Sequence, residues 1–97
     1  MKVTNQLNVI SDFKLKDKIA LHPNDAVDLD LINSSYKVKI ISVLKTEKES
    51  FDGEIVLENS CKFGCVCINT NFWQKIGKPQ KVRVSISDDK STVFILK

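Results

Sequence analysis

Apolar and polar residues alternate along much of this chain. Tyr36, Val38 and Ile40 alternate with Lys37 and Lys39, and Val82, Val84 and Ile86 alternate with Lys81, Arg83 and Ser85. Val27, Leu29 and Leu31 alternate in the same way with Asp28 and Asp30. A period of two predicts strands with one wet face. Leu7–Ile10, Ile55–Leu57 between Glu54 and Glu58, and Cys65–Asn69 add three shorter strands. Turn residues separate them at His22-Pro23-Asn24-Asp25, Asn33-Ser34-Ser35, Asn59-Ser60 and Asp88-Asp89-Lys90. The pattern therefore predicts one hairpin from Val27–Leu31 and Tyr36–Leu44, and a second from Val82–Ile86 and Val93–Leu96. The last strand is apolar on both faces, which predicts that it is buried or forms an interface. Two interruptions predict helical turns. One follows Ser11-Asp12, where Phe13, Leu15 and Ile19 shift from strand to helix spacing. The other is Phe72–Ile76, capped by Asn71 and stopped by Gly77 and Pro79. Residues 45–53 are polar and read as a loop.

The two hairpins match without a gap at an offset of 55 residues. Val27–Leu31 falls on Val82–Ile86, Asn33-Ser34 on Asp88-Asp89, and Val38 and Ile40 on Val93 and Ile95. With small gaps, Lys18-Ile19 matches Lys75-Ile76, and Pro23 matches Pro79. The expected organisation is a single domain over 1–97. It contains two units, about 7–44 and 64–97, joined by a loop and strand at 45–63. A lone hairpin cannot bury its apolar face. Two pseudo-symmetric strand–helical turn–hairpin units can interleave and close a small β-barrel, which also removes open edges. The expected inner residues are Val27, Leu29, Leu31, Val38 and Ile40, with Val82, Val84, Ile86, Val93 and Ile95.

Composition supports a mainly β fold. Only two of the 97 residues are alanine, Ala20 and Ala26, while β-branched residues are common. Hydrophobic residues at 42% and charged residues at 28% are a globular balance. No apolar run approaches the roughly 20 residues that span a bilayer, and no apolar segment follows the first residues as a signal peptide requires. Three cysteines, an odd number, fit a reducing compartment. The expected location is therefore the cytoplasm. Net charge is +3, but residues 1–61 carry 8 Lys and 10 acidic side chains, whereas 62–97 carry 7 Lys or Arg and only Asp88 and Asp89. Such asymmetry is either a solvated surface or the mark of an anionic partner.

The second half has a further likeness. Val66-Cys67-Ile68-Asn69, then Phe72-Trp73-Gln74-Lys75-Ile76-Gly77, a Pro turn, and Val82-Arg83-Val84-Ser85-Ile86 with a closing strand resemble the swapped-hairpin unit of AbrB-type transcription regulators and antitoxins. Two such units in one chain resemble the related double-psi β-barrel. The resemblance implies a small closed barrel, and a fold shared by proteins that bind DNA, proteins or small molecules. Gln80-Lys81 replaces the Gly-Asp usual before the second strand, and Asn69 replaces the usual Pro.

Little in the chain points to catalysis. Cys61, Cys65 and Cys67 form C-x3-C-x-C, one thiol short of a usual zinc set. His22, the sole histidine, lies in a Pro turn. With three glycines no phosphate loop can be built. The expectation is a protein that is not an enzyme, with no catalytic residue, no metal and no cofactor. The candidate binding set is Trp73, Lys75, Lys78, Lys81 and Arg83, where lysines can neutralise phosphates or carboxylates. Trp73 stands there either as a stacking ring or as a core aromatic. Lys14, Lys16, Lys18, Asp28 and Asp30 form a candidate second surface.

Two functions follow as expectations. One is a protein-interaction module that binds and modulates a larger, host-type protein, in keeping with a Lys/Asn/Ile-rich composition similar to that of phage and mobile-element accessory proteins. The other is an AbrB-like nucleic-acid-binding regulator or antitoxin. Neither involves a membrane. Phe94 and Leu96, opposite Val93 and Ile95, point to a homodimer through the C-terminal strand or to packing beneath the 45–53 loop.

Overall fold

The computed structural model describes residues 2–97. Its strands are β1 (Lys2–Val3), β2 (Leu7–Asp12), β3 (Lys18–Leu21), β4 (Ser35–Ser42), β5 (Glu49–Leu57), β6 (Cys65–Asn69), β7 (Lys81–Ile86) and β8 (Thr92–Leu96). Two short helices, α1 (Pro23–Ala26) and α2 (Thr70–Lys75), follow β3 and β6. Seven strands close a barrel in the order β7-β2-β6-β3-β5-β4-β8, sealed by β8 pairing back onto β7. The mainly β closed barrel expected from the alternation is thus the fold of this chain. Where β2 leaves β7, β1 takes over the same edge, with Lys2 opposite Ile86 and Leu7 opposite Val82. Between them Thr4 is buried. Its amide donates to Val84 O (2.8 Å), and its Oγ1 accepts from Val84 N (3.0 Å), so the β7 backbone stays satisfied across the gap.

Three strand pairs are parallel: β2 with β6, β3 with β5, and β4 with β8. The first strand of each half lies beside the second strand of the other. β2–β3–α1–β4 and β5–β6–α2–β7 therefore interlock, and β8 fills the remaining gap between β4 and β7. This frame differs from the one the sequence match gives. Val27–Leu29 is a 3-10 turn, not a strand, and Asp30 ends it in the left-handed region (φ 55°). Leu29 and Leu31 are buried but Val27 is 65% exposed. The inward positions are Leu29, which ends the turn, and Leu31, which follows it, while Val27 turns outward. The turn continues directly from α1, whose start is local chemistry: Pro23 is the first helical residue, and His22 Nδ1 accepts the amide of Asn24 at 3.0 Å. β4 pairs instead with β5, from Ser35 opposite Val56 to Ser42 opposite Glu49. Lys18-Ile19 lies in β3 whereas Lys75-Ile76 ends α2, so their match has no structural counterpart.

Three smaller expectations also change. β2 runs through Ser11-Asp12, and the chain then turns, with the Asp12 carboxylate accepting the Lys14 amide (2.8 Å); there is no helix there. β5 begins at Glu49, inside the expected loop, because Glu49, Ser50 and Asp52 mask an alternation carried by Phe51 and Ile55. Asn69, not Asn71, caps α2 by accepting the Phe72 amide at 3.1 Å.

Leu7, Ile19, Leu21, Ile40, Ile55, Val66, Ile68, Val82, Val84, Ile86, Val93 and Ile95 fill the barrel at 2% exposure or less. Of the expected inner residues, all but Val27 are buried. Both edges of β8 are hydrogen-bonded, to β4 and β7. A homodimer through this strand would therefore use its outward face, where Phe94 and Leu96 are half-buried, and not strand addition.

The β7–β8 turn depends on one carboxylate. Asp89 accepts from Ser87 Oγ and Ser91 Oγ (both 2.7 Å) and from Ser91 N (3.0 Å). The Ser87 and Ser91 bonds lower its pKa from 3.8 to about 2. Because the folded value is depressed, its contribution is present above 3.8 and is lost as pH falls through about 2. Asp89→Ala should therefore lower the thermal midpoint at neutral pH, and the gap to the wild-type chain should close near pH 2. A gap independent of pH would assign the effect to the turn backbone.

Candidate functional site

α2 is held at both ends by its own sequence. Asn69 caps its start and also donates Nδ2 to Leu15 O on the β2–β3 loop. At its end, Gly77 N donates to Gln74 O (3.2 Å) and Lys78 N to Trp73 O (2.9 Å). These are the paired bonds of a Schellman closure, with Gly77 at φ 97° where a Cβ would be strained. Lys78 follows at φ 53°. Phe72 packs into the core and meets Phe51 edge-on, with ring centroids 4.7 Å apart.

Trp73 has a structural role in the fold. Its Nε1 donates to Pro79 O (2.9 Å), and its ring packs half-buried on the core, tying α2 to the loop that leads into β7. Trp73→Phe should keep the packing and lose this bond, at a cost of about 1 kcal/mol. Urea denaturation checks this; a neutral result would mean that water replaces the indole.

The cations gather on both sides of α2. A groove of about 370 Å³ on one side is lined by Lys16, Lys75, Asn71 and Ser50 over Phe51 and Phe72, with Asp17 the acidic member. A second groove of about 320 Å³ has Lys45, Lys81 and Lys97 around Leu44, Ile76 and Pro79, and no acidic residue lines it. Lys45 Nζ reaches Lys75 O at the C-terminal end of α2 (3.3 Å), the end where a cation is favoured. Lys81 and Arg83 are both exposed on the outer side of β7.

Of the sequence-derived set, Lys78 lies in the turn after α2, Lys81 lines the second groove with Arg83 two residues farther along β7, and Lys75 lines the first groove. Of the second candidate set, only Lys16 lines either groove. Lys14 lies in the turn after β2, and Lys18 begins β3 opposite Glu54. Asp28 and Asp30 lie beyond the other end of β3, in the 3-10 turn, where Asp30 pairs with Lys2 at 3.2 Å. These five residues do not form one surface. Lys45 and Lys97 were missed, since only the β4–β8 pairing brings the end of β4 beside the C-terminus.

The cysteines lie elsewhere, on the outer side of β3, β5 and β6. Ala20, Val56 and Cys61 form a small buried cluster there, with Cys67 against it. Cys67 Sγ donates to Cys61 Sγ at 3.1 Å, and Cys61 Sγ to Ala20 O at 3.3 Å. Burial pushes both thiols upward. Among the described residues no group of three or more His, Cys, Asp or Glu is placed to hold a metal ion, and no helix is long and apolar enough to cross a membrane. His22 is engaged as the α1 cap, its ring edge-on to Phe63 at 5.6 Å. No family model, curated protein or solved structure matches this chain.

Proposed function

We propose that this chain is a non-enzymatic binding protein whose basic face around α2 docks an acidic surface of a larger protein. One observation carries the reading. The groove between α2, Leu44 and the chain end combines an apolar floor with a rim of Lys45, Lys81 and Lys97. An apolar anchor flanked by carboxylates would fill such a groove, with the floor supplying burial and the rim orientation and steering. A phosphate backbone needs the cations but has no use for the floor. The aromatic rings around α2 are already engaged, Trp73 with Pro79 and Phe51 with Phe72, and the exposed rings of Phe13 and Phe63 do not line the groove. The phage-like composition makes a host enzyme or complex the class of partner to seek.

The nucleic-acid reading is favoured by a different observation. It rests on the resemblance of residues 64–97 to the AbrB-type unit and on the cations Lys75, Lys78, Lys81 and Arg83, which follow one another from α2 into β7. The two readings separate in one experiment. The protein, wild type and Lys45→Glu/Lys81→Glu/Lys97→Glu, is immobilised and exposed to nuclease-treated host extract at physiological salt. In parallel, anisotropy is measured with duplex DNA, single-stranded DNA and RNA. The protein reading expects one stoichiometric partner on the wild type, absent from the triple variant, and no nucleic-acid binding at physiological salt. Salt-sensitive micromolar binding to a nucleic acid, with no nuclease-resistant partner, would replace it with the regulator reading.

A further inference from the structure

We propose that Cys61 and Cys67 are a reversible dithiol–disulfide pair, a modification site on the side wall of the barrel, away from the basic face. The argument rests on placement. Cys61 sits in the connection between β5 and β6, and Cys67 in β6 itself, yet their sulfurs are 3.1 Å apart. A disulfide bond is about 2.05 Å long, so closure needs a movement of about 1 Å. The thiol side chains can supply it. The ends of the connection are anchored, Glu58 N to Leu21 O (2.9 Å) and Gly64 N to Asp25 Oδ2 (2.7 Å), while the stretch that carries Cys61 is held by the local bond from Cys61 N to Glu58 O, so a small rotation of the two thiol side chains suffices. Cys65 precedes Cys67 by two residues in the same strand, and the bond recorded between Cys61 and Cys65 runs to the Cys65 carbonyl oxygen (3.6 Å).

Accessibility sets the order of the chemistry. Cys61 is 2% exposed, whereas Cys67 is only half-buried. A small disulfide oxidant of the glutathione class therefore meets Cys67 first. The Cys67 thiolate attacks one oxidant sulfur, forming a mixed disulfide and expelling one glutathione thiolate. Cys61, already adjacent, gives up its proton to solvent as its sulfur attacks the Cys67 sulfur and expels the second glutathione thiolate. Two protein thiols and one glutathione disulfide become one protein disulfide and two glutathione thiols. The two electrons and two protons lost by the protein appear on the two glutathiones. Glutathione thiol in excess runs the steps backwards. The bond would fasten the 58–64 connection to β6, and with it Phe63, which is 62% exposed and set against His22.

The test uses the full chain, incubated with oxidised glutathione, alkylated with iodoacetamide and digested with trypsin without reduction. Cleavage after Lys62 leaves Cys61 on the peptide 49–62 and both Cys65 and Cys67 on the peptide 63–75. The two peptides should emerge joined, fragmentation should place the link on Cys67, and dithiothreitol should separate them. Cys65→Ser should retain the link and Cys67→Ser should lose it. Should Cys65→Ser fail to fold, fragmentation of the wild-type link still distinguishes the two positions. Separate alkylated peptides, a link to Cys65, or a disulfide-bonded dimer on a non-reducing gel would each overturn the proposal.

Discussion

Gly53→Ala should cost about 3 kcal/mol, at the upper end for overpacking, or prevent folding outright. Gly53 lies within β5, directly beside the point where β3 begins. A Cβ built there would stand 2.0 Å from Asp17 O and 2.8 Å from both Asp17 C and Phe51 Cε2. Two of these three atoms are backbone. That backbone is pinned, because Glu54 N donates to the same Asp17 oxygen (2.9 Å) and Lys18 pairs with Glu54 in the parallel ladder. Asp17 already holds φ 48°, so it has little room to yield. The methyl group must separate β3 from β5, and that parallel pair is one of the contacts that interlock the two halves. Gly64→Ala is the control. Nothing lies within 4 Å of its Cβ position, and only the positive φ of 83° opposes it, at roughly 1–2 kcal/mol. Denaturant midpoints should rank Gly53→Ala well below Gly64→Ala. The reverse order would mean that β3 does not cross β5 so closely.

That glycine also shows why the sequence was only partly readable. Alternation marks which residues enter the barrel, and it located β4, β6, β7 and β8 because each carries apolar residues at every second place. It cannot say which strands are neighbours. The parallel pairs join residues far apart in the chain, such as Ile19 with Ile55 and Ile40 with Val93, and no local pattern records them. Period two is also ambiguous in short stretches: Leu29, at the end of a 3-10 turn, and Leu31, just past it, are buried just as they would be in a strand. Gly53 reads from sequence as a loop residue, whereas its role is to let another backbone pass. The basic face has the same history. Lys75, Lys78, Lys81 and Arg83 were visible as a cluster because α2 and β7 are adjacent in sequence. Lys16, Lys45 and Lys97 belong to the face only because barrel closure brings three distant segments around α2. The cysteine pair was spaced visibly, but its 3.1 Å approach depends on how the 58–64 connection folds back over β6.

Ile68→Ala should remove about 4 kcal/mol, within the range for a fully enclosed Ile or Leu, out of the roughly 5–15 kcal/mol that holds a domain together. Ile68 is 0% exposed and sits near the end of β6, between Ser11 of β2 on its parallel side and Ile19 of β3 on its antiparallel side. Neither neighbour can move in to fill the space, since both belong to ladders that close the barrel. The lost contacts therefore become a cavity and not a relaxation. Ile68→Val should cost only about 1 kcal/mol, and a loss that small for Ile68→Ala would show that the wall collapses around it. The position also tests how far binding depends on the core. Asn69, the cap of α2, is the next residue, so a cavity at Ile68 loosens the root of the basic face without altering one of its charges. If partner binding by folded Ile68→Ala matches the wild type while the Lys45/Lys81/Lys97 variant loses it, recognition resides in the charges and the apolar groove they surround. If both lose it, the face must be held rigidly by the barrel to be recognised at all.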